Sequence, residues 1–373
     1  QPVTVRDAIQ QELDDWAQYG VHGHLQAKNP WYSYHEMFAG PLARLVGARP
    51  SEVVAMNGLT VNLHLLLMSF YRPEGKRHKI VCEKRAFPSD QYALESQVRY
   101  HGFDPSTAIV EVGPRPGNDM ILTEDILETI DSGKEEIALV LLGGVNYYTG
   151  QCFEMEKITA KAQKLGIPIG FDLAHAVGNI ELKLHDWGVD FGAWCSYKYL
   201  NSGAGSVAGA YVHERHFANP DLPRLAGWWG HDKEERFLME PGFKPIPSAE
   251  AWQLSNAPVF SMAPHKAALD IFEEAGMEKL CAKRDLLTGY LEYIINEADM
   301  GMKIITPSDS NHRGCQLSVL TGVNGKSIHD ELTRKGVVSD WRNPNVIRVA
   351  PVPLYNSFSD VYQFGQILQG TGQ

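Results

Sequence analysis

The sequence predicts an α/β protein: a mostly parallel β-sheet covered by helices, followed by a smaller α+β domain. Three observations predict it. Short apolar runs alternate with helix-length amphipathic segments through residue 212, the pattern of strands joined by helical crossovers. Two of those runs end in groups suited to chemistry, Asp172 and Lys198. Beyond Pro-rich stretches at 219–224 and 241–247, a long helical pattern leads into mixed strands and helices.

Taken in order, residues 5–19 read as an amphipathic helix. Strand candidates follow at 79–83, 108–112, 137–142, 167–172, 191–196 and 207–212. Helices fit 60–71, 89–101, 123–131 and 157–165. The tail has a long helix over about 265–295, then strands near 316–320, 337–340 and 346–349. The expected division is a helical segment over 1–25, a large α/β domain over 26–262 and a small α+β domain over 263–373. The length of 373 residues suits such a division, at ~100–200 residues per domain.

Composition excludes several classes of function. With 34 basic and 45 acidic residues, the net charge of −11 disfavours nucleic acid and anionic membranes as partners. No apolar run reaches the ~18 residues of a membrane span; the richest, 63–70, is short and contains His64. The opening residues carry neither region of a signal peptide, and the chain opens on Gln1, which reads as a start inside a longer chain. Five scattered cysteines without a C-x-x-C pair argue against zinc or disulfide scaffolding and for a reducing cytoplasm. His22 and His24 stand close together without an acidic or cysteine partner, so they read as a polar loop and no metal is expected.

Three short segments carry the chemistry. In Ser196-Tyr197-Lys198-Tyr199 a lysine leaves an apolar strand among aromatics. Burial lowers an amine's pKa and prepares it for imine formation, although a lysine can equally snorkel to the surface. In residues 167–172 a core strand ends in the Asp172 carboxylate, at the edge where parallel sheets hold ligands. If the ligand is a pyridine, Asp172 keeps its ring nitrogen protonated; the alternative is a helix cap. In Asn57-Gly58-Leu59-Thr60, glycine and a helix N-terminus offer a phosphate site, or an ordinary capped helix. Together they point to pyridoxal phosphate, covalently held by Lys198. A fourth motif, Gly203-x-Gly205-x-x-x-Gly209, approaches a dinucleotide fingerprint, but a strand follows it where that fingerprint requires a helix.

The chain resembles the kynureninase family of fold-type-I pyridoxal-phosphate enzymes, in the aminotransferase class-V group, from about Trp16 onward. The resemblance rests on MNGLTVNLHLLLMSF (56–70), AFPSDQYALESQ (86–97), YYTGQ (147–151), GFDLAHAVGNIELKLHDWGVDF (170–191), WCSYKYLNSGAG (194–205), GWWGH (227–231) and RNPNVIRVAPVPLYNSF (342–358). It implies a seven-stranded-type, mostly parallel sheet. It also implies hydrolysis of the Cβ–Cγ bond of L-kynurenine or its 3-hydroxy form, yielding an anthranilate and L-alanine. Lys198 would carry the cofactor and move the substrate α-proton. Asp172, assisted by His175, would pair with the pyridine nitrogen. Phe87 would stack on the ring with Ser89 and Asp90 nearby, and Leu59 and Thr60 would hold the phosphate. Tyr197 would reach the phosphate and donate a proton, and Arg348 would clamp the substrate carboxylate. Trp228 and Asn256 would enter from the second subunit of a homodimer. Asn256 and a histidine from the 22–24 stretch, represented by His24, would also bind substrate.

Two departures from the family pattern stand out. The family's glycine-containing segment ahead of the first helix does not appear here. Gly143 stands where relatives of animal type carry serine. The alternatives are a cysteine desulfurase-like enzyme, which wants a reactive cysteine and a histidine before its lysine, and a protein that binds the cofactor without turnover.

Overall fold

The structure is a computed structural model describing residues 1–219 and 221–371. It divides into two compact units. The larger comprises residues 1–112, 123–144 and 155–274; the smaller comprises 113–122, 145–154 and 275–373. This division differs from the sequence expectation. The helical segment 1–25 belongs to the large unit, the boundary lies at 274/275 rather than 262/263, and two excursions of the chain join the small unit. Among the described residues, no helix is long and apolar enough to cross a membrane.

The large unit is built on seven strands: β1 (Val53–Ala55), β2 (Lys79–Glu83), β3 (Ile109–Val112), β4 (Ile137–Gly143), β5 (Ile169–Asp172), β6 (Phe191–Trp194) and β7 (Gly209–Val212). Their order is β1-β7-β6-β5-β4-β2-β3. The run from β3 to β6 is parallel, and β7 is antiparallel to both its neighbours. The chain steps from β2 out to β3, then crosses back to β4, so β2 and β4 flank a point where the winding reverses. Parallel α/β sheets bind ligands at such a point, beyond the carboxyl ends of the strands.

Residue choice explains why these strands pack so closely. β4 is buried along its whole length, as a strand covered on both faces must be. Two glycine–aromatic pairs sit directly across neighbouring strands, Gly170 opposite Phe191 and Gly209 opposite Trp194. A Cβ at either glycine would stand 2.2 Å from the ring, so the absence of a side chain makes room for a flat aromatic. The helix Leu59–Phe70 lays Leu63, Leu66, Leu67 and Phe70 into this core, each worth ~1.5–3 kcal/mol of burial. Phe70 stacks on Phe191 with centroids 4.7 Å apart.

The small unit has a four-stranded antiparallel sheet, ordered β10-β11-β9-β8, from β8 (Lys303–Ile304), β9 (Leu317–Leu320), β10 (Asp340–Arg342) and β11 (Val346–Val349). Leu287, Leu291 and Ile294 of the helix Met277–Glu297 pack on Leu317, Val319 and Ile347 of this sheet.

Three sequence expectations need correction. The long helix over 265–295 is two helices, Val259–Ala275 and Met277–Glu297, broken at Gly276, whose φ of +77° few side chains tolerate. The strand expected at 337–340 starts where that segment ends, at Asp340. The stretch around His22 and His24 is helical, not a polar loop, and His24 packs edge-on against Trp31 at 5.5 Å.

Candidate active site

The carboxyl edge of the large sheet gathers most of the expected residues of this unit. β1 leads through Asn57 into the helix Leu59–Phe70, and β2 leads through Phe87 into the helix Pro88–Tyr100. Thr60 and Ser89, each in the first turn of its helix, join hydroxyls at 2.7 Å. Two helix N-termini and two hydroxyls at one spot make an anion cradle suited to phosphate. The left-handed residue in that turn is Asn57 (φ +51°), while Gly58 is extended.

A second feature is a cluster of buried carboxyls. Asp172 ends β5 and is 8% exposed; one of its oxygens accepts the Ala174 N–H at 2.7 Å. Asp90, in the first turn after β2, hydrogen-bonds Asp172. Such a bond between two carboxyls requires a proton on one of them. Burial, then the Asp172 charge, push the Asp90 carboxyl well above the carboxylate range, and Lys198 pulls it back. Glu83 ends β2, is 4% exposed, and accepts the Gly143 N–H at 3.2 and 3.1 Å. Burial pushes its pKa up to about 7, with Asp172 adding to the rise. Oδ1 of Asp90 has no hydrogen-bond partner among the described residues. Anionic charge held out of water beside an unfilled acceptor fits a cationic N–H donor such as a pyridinium.

Lys198 follows β6. Its Nζ lies 5.5 Å from the Phe87 ring centroid and 5.9 Å from that of Tyr197. Burial pushes the Cys195 thiol up, and the nearby Lys198 charge draws it down. The Tyr197 phenol is raised to about 12, chiefly by burial and then by Cys195, so it keeps its proton at neutral pH and remains a donor. His175 packs edge-on against Tyr199 at 6.0 Å. After the lysine, Gly203 and Gly205 adopt φ of +85° and +72°, and Gly209 opens a strand, so this glycine run does not form a dinucleotide loop.

Other expected residues lie in different settings. Trp228 is half exposed; its indole N–H donates to the Arg236 carbonyl at 3.1 Å, and its ring packs on Trp229 and Phe237. Asn256 is exposed. The two segments lie together, because a Cβ on Gly227 would sit 2.2 Å from the Leu254 Cα. In the small unit Arg348 is held by Asp340 and by the Tyr147 carbonyl, while its Nε has no hydrogen-bond partner among the described residues.

Glu83 and Cys195 escaped the sequence reading. Glu83 had the same signal as Asp172, an acidic residue closing an apolar strand. A separate set, Glu52, His185 and His213, has metal-ligand composition. Its imidazoles are stacked only 22° from parallel, so their in-plane lone pairs do not converge on one ion. Glu52 instead accepts the Arg49 and Glu214 N–H groups, each at 2.9 Å, which makes it a structural hub.

The fold and this edge together define a fold-type-I, pyridoxal-phosphate-type architecture. A C-DES variant with glycine covalently linked to its PLP cofactor superposes with a TM-score of 0.83 at 15% identity, covering 99% of this chain and 93% of that one. A cysteine desulfurase from Thermococcus onnurineus gives 0.78 at 16% identity, covering 98% and 90%. The sequence comparisons are narrower. The kynureninase from Flavobacterium johnsoniae is 56% identical over 99% of this chain and 88% of its own length. The one from Nematostella vectensis is 50% identical over 99% and 82%. The kynureninase C-terminal domain model matches residues 280–368. The chain belongs to the kynureninase family.

Glu83 yields a prediction in the protein free of cofactor. Its folded pKa, near 7, lies above the ordinary 4.5, so the folded chain binds the extra proton, and the stability this gives is lost as pH rises from about 4.5 through 7. Glu83→Gln has no charge to bury. Its stability relative to wild type should therefore improve by up to roughly 3 kcal/mol between pH 5 and 8, at 1.36 kcal/mol per pKa unit. Denaturant melts at four pH values read this directly; a constant offset across pH would refute the assignment.

Proposed function

We propose that this protein hydrolyses L-kynurenine, and its 3-hydroxy form, at the Cβ–Cγ bond, using pyridoxal 5'-phosphate and releasing an anthranilate and L-alanine. The observation that carries this reading is the Lys198 amine at the sheet's carboxyl edge, close to the buried Asp172–Asp90 pair, in a chain of the kynureninase family. Bound there, pyridoxal phosphate supplies an aldehyde that links to amines and a protonated ring that accepts an electron pair.

The chain's residues then take these roles. Thr60 and Ser89, with the Leu59 turn, hold the phosphate. Phe87 stacks on the ring. Asp172 keeps the ring nitrogen protonated, and Asp90 supports it as its buried neighbour. Lys198 would anchor the cofactor, and as a free amine it would move the substrate's α-proton. Tyr197, which keeps its phenolic proton, reaches the phosphate and donates. Arg348 would clamp the substrate carboxylate with its guanidinium. His175 steadies the Asp172 side of the ring, and His24 and Asn256 meet the substrate's aromatic end. A cysteine desulfurase reading loses support from Cys195, whose thiol burial pushes up rather than down.

The reading includes a homodimer with shared sites. Trp228, Phe237, Leu238, Met239 and Leu225 expose large apolar surface within one short stretch, which a second copy would cover. The Gly227–Leu254 approach puts Trp228 and Asn256 on neighbouring segments, which supports assigning both to one shared site. Five free cysteines support a reducing compartment such as the cytoplasm.

Release of fluorescent anthranilate from kynurenine tests the activity. The holoenzyme should release it, Lys198→Ala should not, and borohydride should fix the cofactor on Lys198 alone. No release by the wild-type holoenzyme, or label on another lysine, overturns the reading. Shared sites are tested separately by mixing inactive Lys198→Ala and Trp228→Ala chains. Mixed dimers should regain up to about a quarter of wild-type activity if one intact site forms in half the molecules; none in confirmed mixed dimers returns Trp228 to its own subunit's site.

A further inference from the structure

Outside the residues already assigned, the lysine loop rests on a histidine with no role so far. His265 lies in the helix Val259–Ala275, directly after Pro264, and is 0% exposed. Its Nδ1 is 2.8 Å from Oγ of Ser202 and its Nε2 is 3.3 Å from Oγ of Ser196. These serines bracket Lys198, two residues before it and four after, and both are buried, at 0% and 1% exposure. The loop also closes on itself, since the Ser202 N–H donates to the Ser196 carbonyl at 3.1 Å and the Asn201 N–H to the Lys198 carbonyl at 3.1 Å.

The hydrogens can be assigned by satisfaction. The single hydroxyl proton of Ser202 goes to the Leu200 carbonyl at 3.2 Å, so Ser202 accepts from Nδ1–H. Nε2 then accepts the Ser196 O–H. This tautomer requires an uncharged ring, and burial holds the His265 pKa down at about 3. Phe38 stacks on the imidazole, centroids 5.3 Å apart and planes 26° apart, which fixes its orientation. A buried polar ring with both nitrogens used and a face packed has little freedom.

We infer that His265 is a positioning residue for the cofactor-bearing lysine: by bridging Ser196 and Ser202 it fixes both ends of the loop that presents Lys198. The inference rests on the reading of Lys198 as the cofactor's anchor. His265 is fully buried and acts through the two serines. Its action is to keep the amine aimed, so that attachment of the aldehyde costs little loop ordering.

The test uses His265→Phe, which keeps a flat ring for Phe38 and deletes both bonds, and His265→Gln, which retains one donor and one acceptor. Amide hydrogen exchange over residues 196–202 is measured on the protein stripped of cofactor. Pyridoxal phosphate uptake at Lys198 and the absorbance spectrum of the loaded protein across pH are then followed. With two hydrogen bonds lost, His265→Phe should speed exchange in that loop by about tenfold and slow uptake similarly. It should also move the pH midpoint of the absorbance band, and His265→Gln should restore most of each. A merely structural histidine would lower the melting temperature and speed exchange throughout the large unit, with the spectrum unchanged; that result overturns the inference. If His265→Phe does not fold, Ser202→Ala removes one of the two bonds, and wild-type loop exchange and uptake in that variant overturn it equally. If wild-type chains take up the cofactor on another lysine, the anchor reading falls instead, while loop exchange still reports on the clamp.

Discussion

Three carboxyl groups, Glu83, Asp90 and Asp172, lie nearly out of water at one edge of the large sheet. Keeping such groups ionised in that setting costs several kcal/mol apiece unless a cation or hydrogen bonds compensate. Asp172 gets one backbone N–H and Asp90, Glu83 gets the Gly143 N–H, and Asp90 is left with an unfilled oxygen. The arrangement is stable when protons fill in or when a cation arrives. Lys198, whose charge is felt at Asp90 and Cys195, is the resident cation, and a protonated pyridine is the second that the chemistry calls for.

The fold is arranged to hold this charge. Glu83 closes β2, Gly143 closes β4, and Asp172 closes β5 directly across from Gly143, so the cluster spans the point where the sheet's winding reverses. The hydrogen bonds from Gly143 to Glu83 tie β2 and β4 together beyond the last ladder pairing. Close packing at β5, β6 and β7 depends on Gly170 and Gly209 accepting the rings of Phe191 and Trp194. Those contacts set where β6 ends, and therefore where Lys198 emerges.

Much of this was legible in the sequence because it rests on local pattern. The period of apolar residues located all six expected strands of the large sheet, and a carboxylate or lysine closing such a run marked Asp172 and Lys198. What stayed hidden depends on residues far apart in the chain. β1 is three residues long and β8 two, too short to show a period. The break at Gly276 interrupts a helical pattern that continues on both sides. Glu83 carried the right signal, yet its meaning comes from Asp90 and Asp172, seven and eighty-nine residues onward in the chain. The two compact units differ from the expected spans because residues 113–122 and 145–154 leave the large unit and return.

The central claim is that the buried carboxyl cluster keeps the cofactor's ring nitrogen protonated. The most direct measurement is the nitrogen-15 shift of pyridoxal phosphate labelled in its ring, bound to the protein and followed from pH 6 to 9. The account predicts a protonated-nitrogen shift across the whole range in wild type, and its loss within that range in Asp172→Asn, whose amide cannot carry the balancing charge. An unprotonated nitrogen in wild type at neutral pH, or an unchanged protonated shift in Asp172→Asn, would contradict it.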